Sequence, residues 1–151
     1  MSMRFRYSRL RTAQPAWPLG GQSERPRPLV LVSIIGPAAT AVERGGLDTG
    51  ADDTVFEERV ATRIGIDLTG APTGSNTSVG GTTVAVRYAQ VNLRLTDGHE
   101  FRAWTAWVGF TPTPLDRGLL GFAGCLQFFS AHFHGDREEV ELAVNGLYPG
   151  T

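Results

Sequence analysis

Gly46-Leu47-Asp48-Thr49-Gly50-Ala51-Asp52-Asp53-Thr54-Val55 sets a carboxylate directly behind an apolar run, followed by a small hydroxyl residue and a glycine. A strand that stops in a tight turn presents Asp48 toward a cleft. Gly50 lets another backbone approach closely, and the Thr49 hydroxyl can hydrogen-bond across to a neighbouring turn. An Asp-Thr-Gly turn by itself is common, and a surface turn rich in Asp and Gly explains it equally well. The flanking sequence decides between the two.

Upstream, Leu29 to Ile35 is a β-branched run suited to a buried strand, closed by Gly36-Pro37, and Thr40 to Leu47 predicts the strand that leads into Asp48. Downstream, Thr54 and Glu57 fit a capping box, Phe56, Val60 and Ile64 recur every four residues, and Gly65 supplies a stop, so a short helix is expected after Asp53. Thr69 to Gly81 is almost all Gly, Ser, Thr, Asn and Pro, and Thr83 to Leu95 returns to strand composition; together they predict a long hairpin with a mobile tip. Phe101 to Val108 is a further strand after the turn Asp97-Gly98. Phe122, Leu126 and Phe129 fit one face of a second short helix, and Ala131 to Val144 reads as a hairpin turning at Gly135-Asp136. At the other end, Met3, Phe5 and Tyr7 alternate with Arg4, Arg6 and Ser8 as in a half-buried strand. Pro15, Pro18, Pro26 and Pro28 make Thr12 to Pro28 a connecting arm. The expectation is an all-β domain with one or two short helices.

The 151 residues suit one domain with a real core, and 14 Lys+Arg against 15 Asp+Glu supply no uniform field for nucleic acid or acidic membranes. One cysteine excludes an internal disulfide and an all-thiolate zinc site. The charge-free stretch Pro28 to Val42 is broken by Ser33, Gly36, Pro37 and Thr40, so no membrane helix is expected there. Arg4, Arg6, Arg9 and Arg11 precede the first acid, Glu24, as in an organellar presequence, but the strand alternation explains them better. No apolar secretory core is present, so cytoplasmic residence is expected, with organelle import left open.

Asp48-Thr49-Gly50-Ala51-Asp52-Asp53-Thr54-Val55 resembles the active-site signature of the retropepsins, the retroviral-type aspartic proteases. Arg27-Pro28-Leu29-Val30 resembles the family's lead-in to its first long strand. Val79-Gly80-Gly81 with Val84 to Val91 resembles the flap tip and returning flap strand, and Leu119-Leu120-Gly121 the motif before the C-terminal helix. The landmarks run in the family's order from Arg27 to Phe129, and the ends outside them resemble cellular and bacterial relatives with longer termini.

The resemblance implies a closed β-barrel-like acid protease fold with a flap hairpin, active as a two-fold homodimer, because only one Asp-Thr-Gly is present and the chemistry takes two aspartates. It divides the chain into an N-terminal strand and arm (1–26), a protease domain (27–145) and a tail (146–151). It implies catalytic roles for Asp48, Thr49 and Gly50, contacts to a polypeptide substrate from Ala51, Asp52, Asp53, Val79, Gly80 and Gly81, and pocket walls at Leu115 and Leu119; ordinary core packing explains those two leucines almost as well. It implies no cofactor and no metal. Where viral members carry Arg after Leu-Leu-Gly, this chain has Phe122-Ala123-Gly124, which removes the cation expected beside Asp52; Arg27 of the other subunit is the candidate replacement. A different class of reading is a non-catalytic domain that joins two chains or binds peptides. Residues 1 to about 26 also suit a propeptide removed by self-cleavage.

Other chemistry is sparse. His132 and His134 lie two apart and share a strand side, but a metal needs further ligands, so a solvated face is the expectation. Cys125 fits a buried structural thiol, and Glu138, Glu139 and Glu141 read as hairpin solvent charges. No Gly-x-Ser-x-Gly elbow or phosphate loop occurs. Trp104 and Trp107 fall on opposite strand faces, so at least one is expected in the core or dimer interface.

Overall fold

The computed structural model describes residues 1–77 and 81–150. Their strands are β1 (Met3–Arg6), β2 (Ser8–Ala16), β3 (Gln22–Arg27), β4 (Leu29–Ile35), β5 (Thr40–Leu47), β6 (Val55–Glu57), β7 (Thr73–Thr77), β8 (Thr83–Thr96), β9 (Phe101–Thr111), β10 (Gly118–Leu120), β11 (Phe129–His134) and β12 (Glu139–Val144). One α-helix, α1 (Glu58–Ile64), and two 3-10 turns, Trp17–Leu19 and Leu126–Phe128, complete the described elements. No helix among the described residues is long and apolar enough to cross a membrane.

Six strands close into a ring in the order β4-β5-β10-β6-β9-β8, the last pairing back onto β4. Closure depends on the length of β8. Asn92 to Leu95 pair with Ile35 to Val32 of β4, whereas Thr83 to Arg87 run on to pair with Thr77 to Thr73 of β7. The first half of β8 is thus the returning arm of a hairpin, and its second half is barrel wall. Val91, Leu93 and Leu95 face inward while Asn92, Arg94 and Thr96 face out, the period-two pattern of a one-sided core. They meet Val32 and Ile34 of β4, Phe56 and Phe110 of the parallel pair β6–β9, and Leu120 of β10, all sealed from solvent. Each such side chain contributes roughly 1.5–3 kcal/mol by leaving water.

The chain ends form a second sheet, β1-β12-β11. Met3 is 1% exposed and packs with Val140 and Leu142 into the main core, as the alternation at the N-terminus predicts. Trp104 is buried edge-on against Phe129 and Tyr148, and its Nε1 donates to Gly124 O at 2.8 Å; Trp107 lies exposed on the other face. Cys125 is buried, and burial pushes its thiol up to about 12.

Three expectations need correction. The helix after Asp53 begins only at Glu58, because Thr54 does not cap it; the Thr54 hydroxyl is buried and donates to Ala123 O at 2.9 Å, and Val55 to Glu57 form a strand first. Gly65 does end the helix, in the left-handed region at φ +86°. The expected second helix is only the turn Leu126–Phe128: Phe122 is exposed and Phe129 already belongs to β11, so the three residues share no helical face. The connecting arm is instead the hairpin β2–β3. Pro15 and Pro26 are tolerated there because both strands of a two-stranded sheet are edges.

Candidate active site

Three strand ends fix Asp48. Leu47 N donates to Pro28 O just before β4 at 3.0 Å, and Asp48 N donates to Leu120 O of β10 at 3.1 Å, so the turn after β5 cannot slide. Within the turn, Gly50 N donates to Asp48 Oδ1 at 2.9 Å and Ala51 N to Asp48 O at 3.2 Å, an Asx turn inside a tight backbone turn. Asp48 Oδ2 accepts no hydrogen bond among the described residues, and Asp48, Thr49 and Gly50 are all exposed on the single chain.

The next residues are clamped by the loop after β10. Phe122 N donates to Ala51 O at 2.9 Å, Ala123 N to Asp52 O at 2.8 Å, and Thr54 N to Ala123 O at 3.0 Å, a short parallel bridge centred on Asp53 and Ala123. Gly121 makes this possible: a Cβ there would lie 2.3 Å from Asp53 O and 2.6 Å from Ala51 O. This explains the glycine of Leu119-Leu120-Gly121 by close approach.

A cleft of about 380 Å³ opens beside this turn. Asp48, Gly50, Ala51, Asp52, Asp53, Leu115 and Leu119 border it, so seven of the residues singled out in the sequence meet in one place. Thr49 sits in the turn but does not line the cleft, and Gly81, at φ +83°, is exposed beyond the end of β7. Val79 and Gly80 lie outside the described residues. The far wall comes from the β7–β8 hairpin through Asn76, Thr77 and Val84, and Val55 closes the base. The floor is acidic and the walls are largely apolar, a lining that suits a chain molecule with alternating apolar side chains.

Sequence reasoning missed the hairpin wall. Asn76 and Val84 are cross-strand partners on the inner face, and Asn76 Nδ2 is buried without a hydrogen-bond acceptor among the described residues. Tyr88, further along the same face, donates from its hydroxyl to Asp53 Oδ2 at 2.6 Å. Period-two alternation back from Val86 would have put Val84 and Tyr88 on one face. Register across β7 is needed for Asn76.

The pattern of the family described as aspartyl protease matches residues 37–123, which contain the Asp48 turn, the hairpin and the clamping loop. The chain belongs to the aspartyl protease family. A search among curated proteins finds no match. In this aspartyl protease family member, β1 to β4 and the β11–β12 hairpin lie outside the matched segment.

Proposed function

We propose that the chain is an aspartic endopeptidase of the retropepsin type, in which Asp48 of two copies meets across a two-fold axis and activates one water molecule between them. One observation carries the reading: the Asp-Thr-Gly carboxylate is held by three strand ends at the mouth of an apolar-walled cleft, under a hairpin, with one oxygen left unbonded among the described residues. The exposure of Asp48, Thr49 and Gly50 on the single chain is what an isologous interface at this turn would bury.

Two carboxylates about 3 Å apart do not both ionise readily, so a dyad of this kind shares one proton and titrates as a pair. The ionised member takes a proton from water as that water attacks the peptide carbonyl, and the protonated member donates to the carbonyl oxygen. The product is a tetrahedral gem-diol with no covalent bond to the enzyme. Its collapse breaks the C–N bond, with a proton returned to the leaving amine. Thr49 joins the two turns beneath the dyad, while Gly50, Ala51, Asp52 and Asp53 hold the extended substrate backbone. Leu115 and Leu119, with Val55 and Val84, receive its apolar side chains. The β7–β8 hairpin closes over the substrate, which Val79, Gly80 and Gly81 contact. The protease unit is residues 27–145, with 1–26 and 146–151 flanking it. The burial of Met3 argues against loss of 1–26 as a simple propeptide, since cleavage would uncover Val140 and Leu142.

The test is cleavage of an unbiased peptide library by the wild type and by Asp48→Asn, beside sedimentation of each. The expected result is cleavage by the wild type only, with both proteins dimeric and a statine-type inhibitor bound by the wild-type dimer. Equal cleavage by both, or cleavage by a strictly monomeric wild type, refutes the paired-acid mechanism.

A further inference from the structure

The three-stranded sheet of the chain ends carries a second cluster of chemically competent side chains, outside the segment matched by the protease family. Strand alternation turns Phe129 and Ala131 of β11 toward the core and His132 and His134 to the other side; on β12 it buries Val140 and Leu142 and turns Glu139 and Glu141 out. Register then sets Glu141 directly opposite His132 and diagonal to His134. The further ligand that the His-x-His spacing lacks is therefore supplied across the hairpin.

We propose that His132, His134 and Glu141 form a site for a divalent transition-metal ion of zinc type. One donor atom from each of the three lies within 4.8 Å of the other two, and His134 Nε2 is 3.2 Å from Glu141 Oε2. A tetrahedral zinc with bonds of 2.0–2.2 Å holds its donors about 3.4 Å apart. The His134–Glu141 pair already has that spacing. His132 is exposed and its ring stands 5.6 Å from that of His134, centroid to centroid, so a side-chain rotation brings it toward the other two donors without moving the backbone.

The carboxylate is also oriented. Arg4 Nη2 of β1 holds Glu141 Oε1 at 2.6 Å, which leaves Oε2 turned to the imidazoles. Such an outer partner is the usual companion of a metal-bound carboxylate, and Arg4 is exposed enough to yield if the ion draws both oxygens. An ordinary surface ion pair accounts for His134 with Glu141 but not for His132, which stands edge-on to His134 with no hydrogen-bond partner among the described residues. Two imidazoles and one carboxylate form a borderline donor set, suited to Zn²⁺ and related ions rather than to Mg²⁺ or Ca²⁺, which favour all-oxygen shells. A fourth position faces water. An ion there would staple β11 to β12, the strand on which β1 is built.

Calorimetric titration of the untagged full chain with Zn²⁺, alone and as the His132→Ala, His134→Ala, Glu141→Gln and Asp48→Asn variants, tests the proposal. The expected result is one ion per chain for the wild type and for Asp48→Asn. Each of the other three should lose at least about tenfold in affinity, as even outer-shell changes do at metal sites. Zinc should raise the melting temperature of the wild type and leave that of His132→Ala unchanged; this exposed substitution should leave the fold intact by circular dichroism. No stoichiometric zinc on the wild type, or undiminished binding by both histidine variants, overturns the proposal. So does binding lost in Asp48→Asn and kept in His132→Ala, which would move the ion to the protease cleft.

Discussion

The Tyr88 hydroxyl donates a 2.6 Å hydrogen bond to Asp53 Oδ2, joining the returning strand of the hairpin to the acidic floor of the cleft. The ring passes over Gly74 of β7, where a Cβ would lie 2.6 Å from Tyr88 Cε2. Burial, helped by the bond to Asp53, pushes the phenol up to about 12, so it stays a neutral donor across the working range of any protease. One oxygen of Asp53 is thereby occupied. In Tyr88→Phe that oxygen is released, and peptides with Lys or Arg beside Asp53 should gain over apolar ones. The expected gain in relative kcat/KM is roughly three- to tenfold, the factor that about 1 kcal/mol of hydrogen bonding supplies. An unchanged preference in the library would show that Asp53 does not read the substrate side chain.

Gly121→Ala places a methyl against two backbone carbonyls that cannot rotate away, since Ala51 O already accepts from Phe122 and Asp53 belongs to the bridge with Ala123. A loss of about 2–3 kcal/mol is expected, or roughly 5–10 °C in Tm for a chain of this size. Gly135→Ala, where a Cβ meets nothing within 4 Å, serves as the comparison and should melt with the wild type. Equal melting of all three would mean that the clamp on the Asp48 turn yields freely.

Asp52 is exposed and makes no ion pair among the described residues; in the proposed homodimer, Arg27 of the partner subunit is its expected partner. Arg27→Ala and Asp52→Asn should each weaken dimerisation in sedimentation, by about tenfold at low salt, and the double variant should be no weaker than either alone. Fully additive losses would separate the two residues.

Asp97 is expected to set the acid limit of the fold. Its carboxylate accepts backbone N–H groups of Glu100 at 2.8 Å, His99 at 2.9 Å and Arg4 at 3.0 Å, so one side chain caps the β8–β9 turn and ties down β1. Those bonds, that of Glu100 foremost, hold its carboxyl down to about 2. The native state therefore binds this proton more weakly than the unfolded chain. The stabilisation is complete above the ordinary carboxyl range near 4 and disappears as the pH falls toward 2. In urea, the midpoint gap between wild type and Asp97→Asn should be constant from pH 7 to 5 and shrink from pH 4 to 2; a gap independent of pH would contradict this.

What the sequence disclosed is what local chemistry controls. Leu29–Ile35 and Thr40–Leu47 appear as strands with the boundaries their composition implies, because β-branched runs ended by Gly-Pro or by Asp-Thr-Gly leave few alternatives. The Asp48 turn was legible for the same reason. Thr54 was misleading because a bond to Ala123, 69 residues away, outcompetes a cap three residues away, and no local pattern reports that partner. Phe122 misled in a similar way: Gly124, at φ +89°, turns the chain out of any helix between it and Leu126. Asn76 and the meeting of Glu141 with the two histidines stayed hidden because each depends on which residue faces which across a hairpin.

The double membership of β8 gives it the character of a lever. Its outer arm carries Val84 over the cleft, its inner arm is bolted to β4 through Asn92 to Leu95, and Tyr88 sits near the fulcrum with a tether to Asp53. Arg87 to Thr96 are paired with Phe110 to Phe101 of β9, so any swing of the outer arm must bend the strand near Arg87, where that ladder ends. Opening and wall tension are then one motion. A cargo that pries the hairpin upward loads the same staves that hold the acid in place.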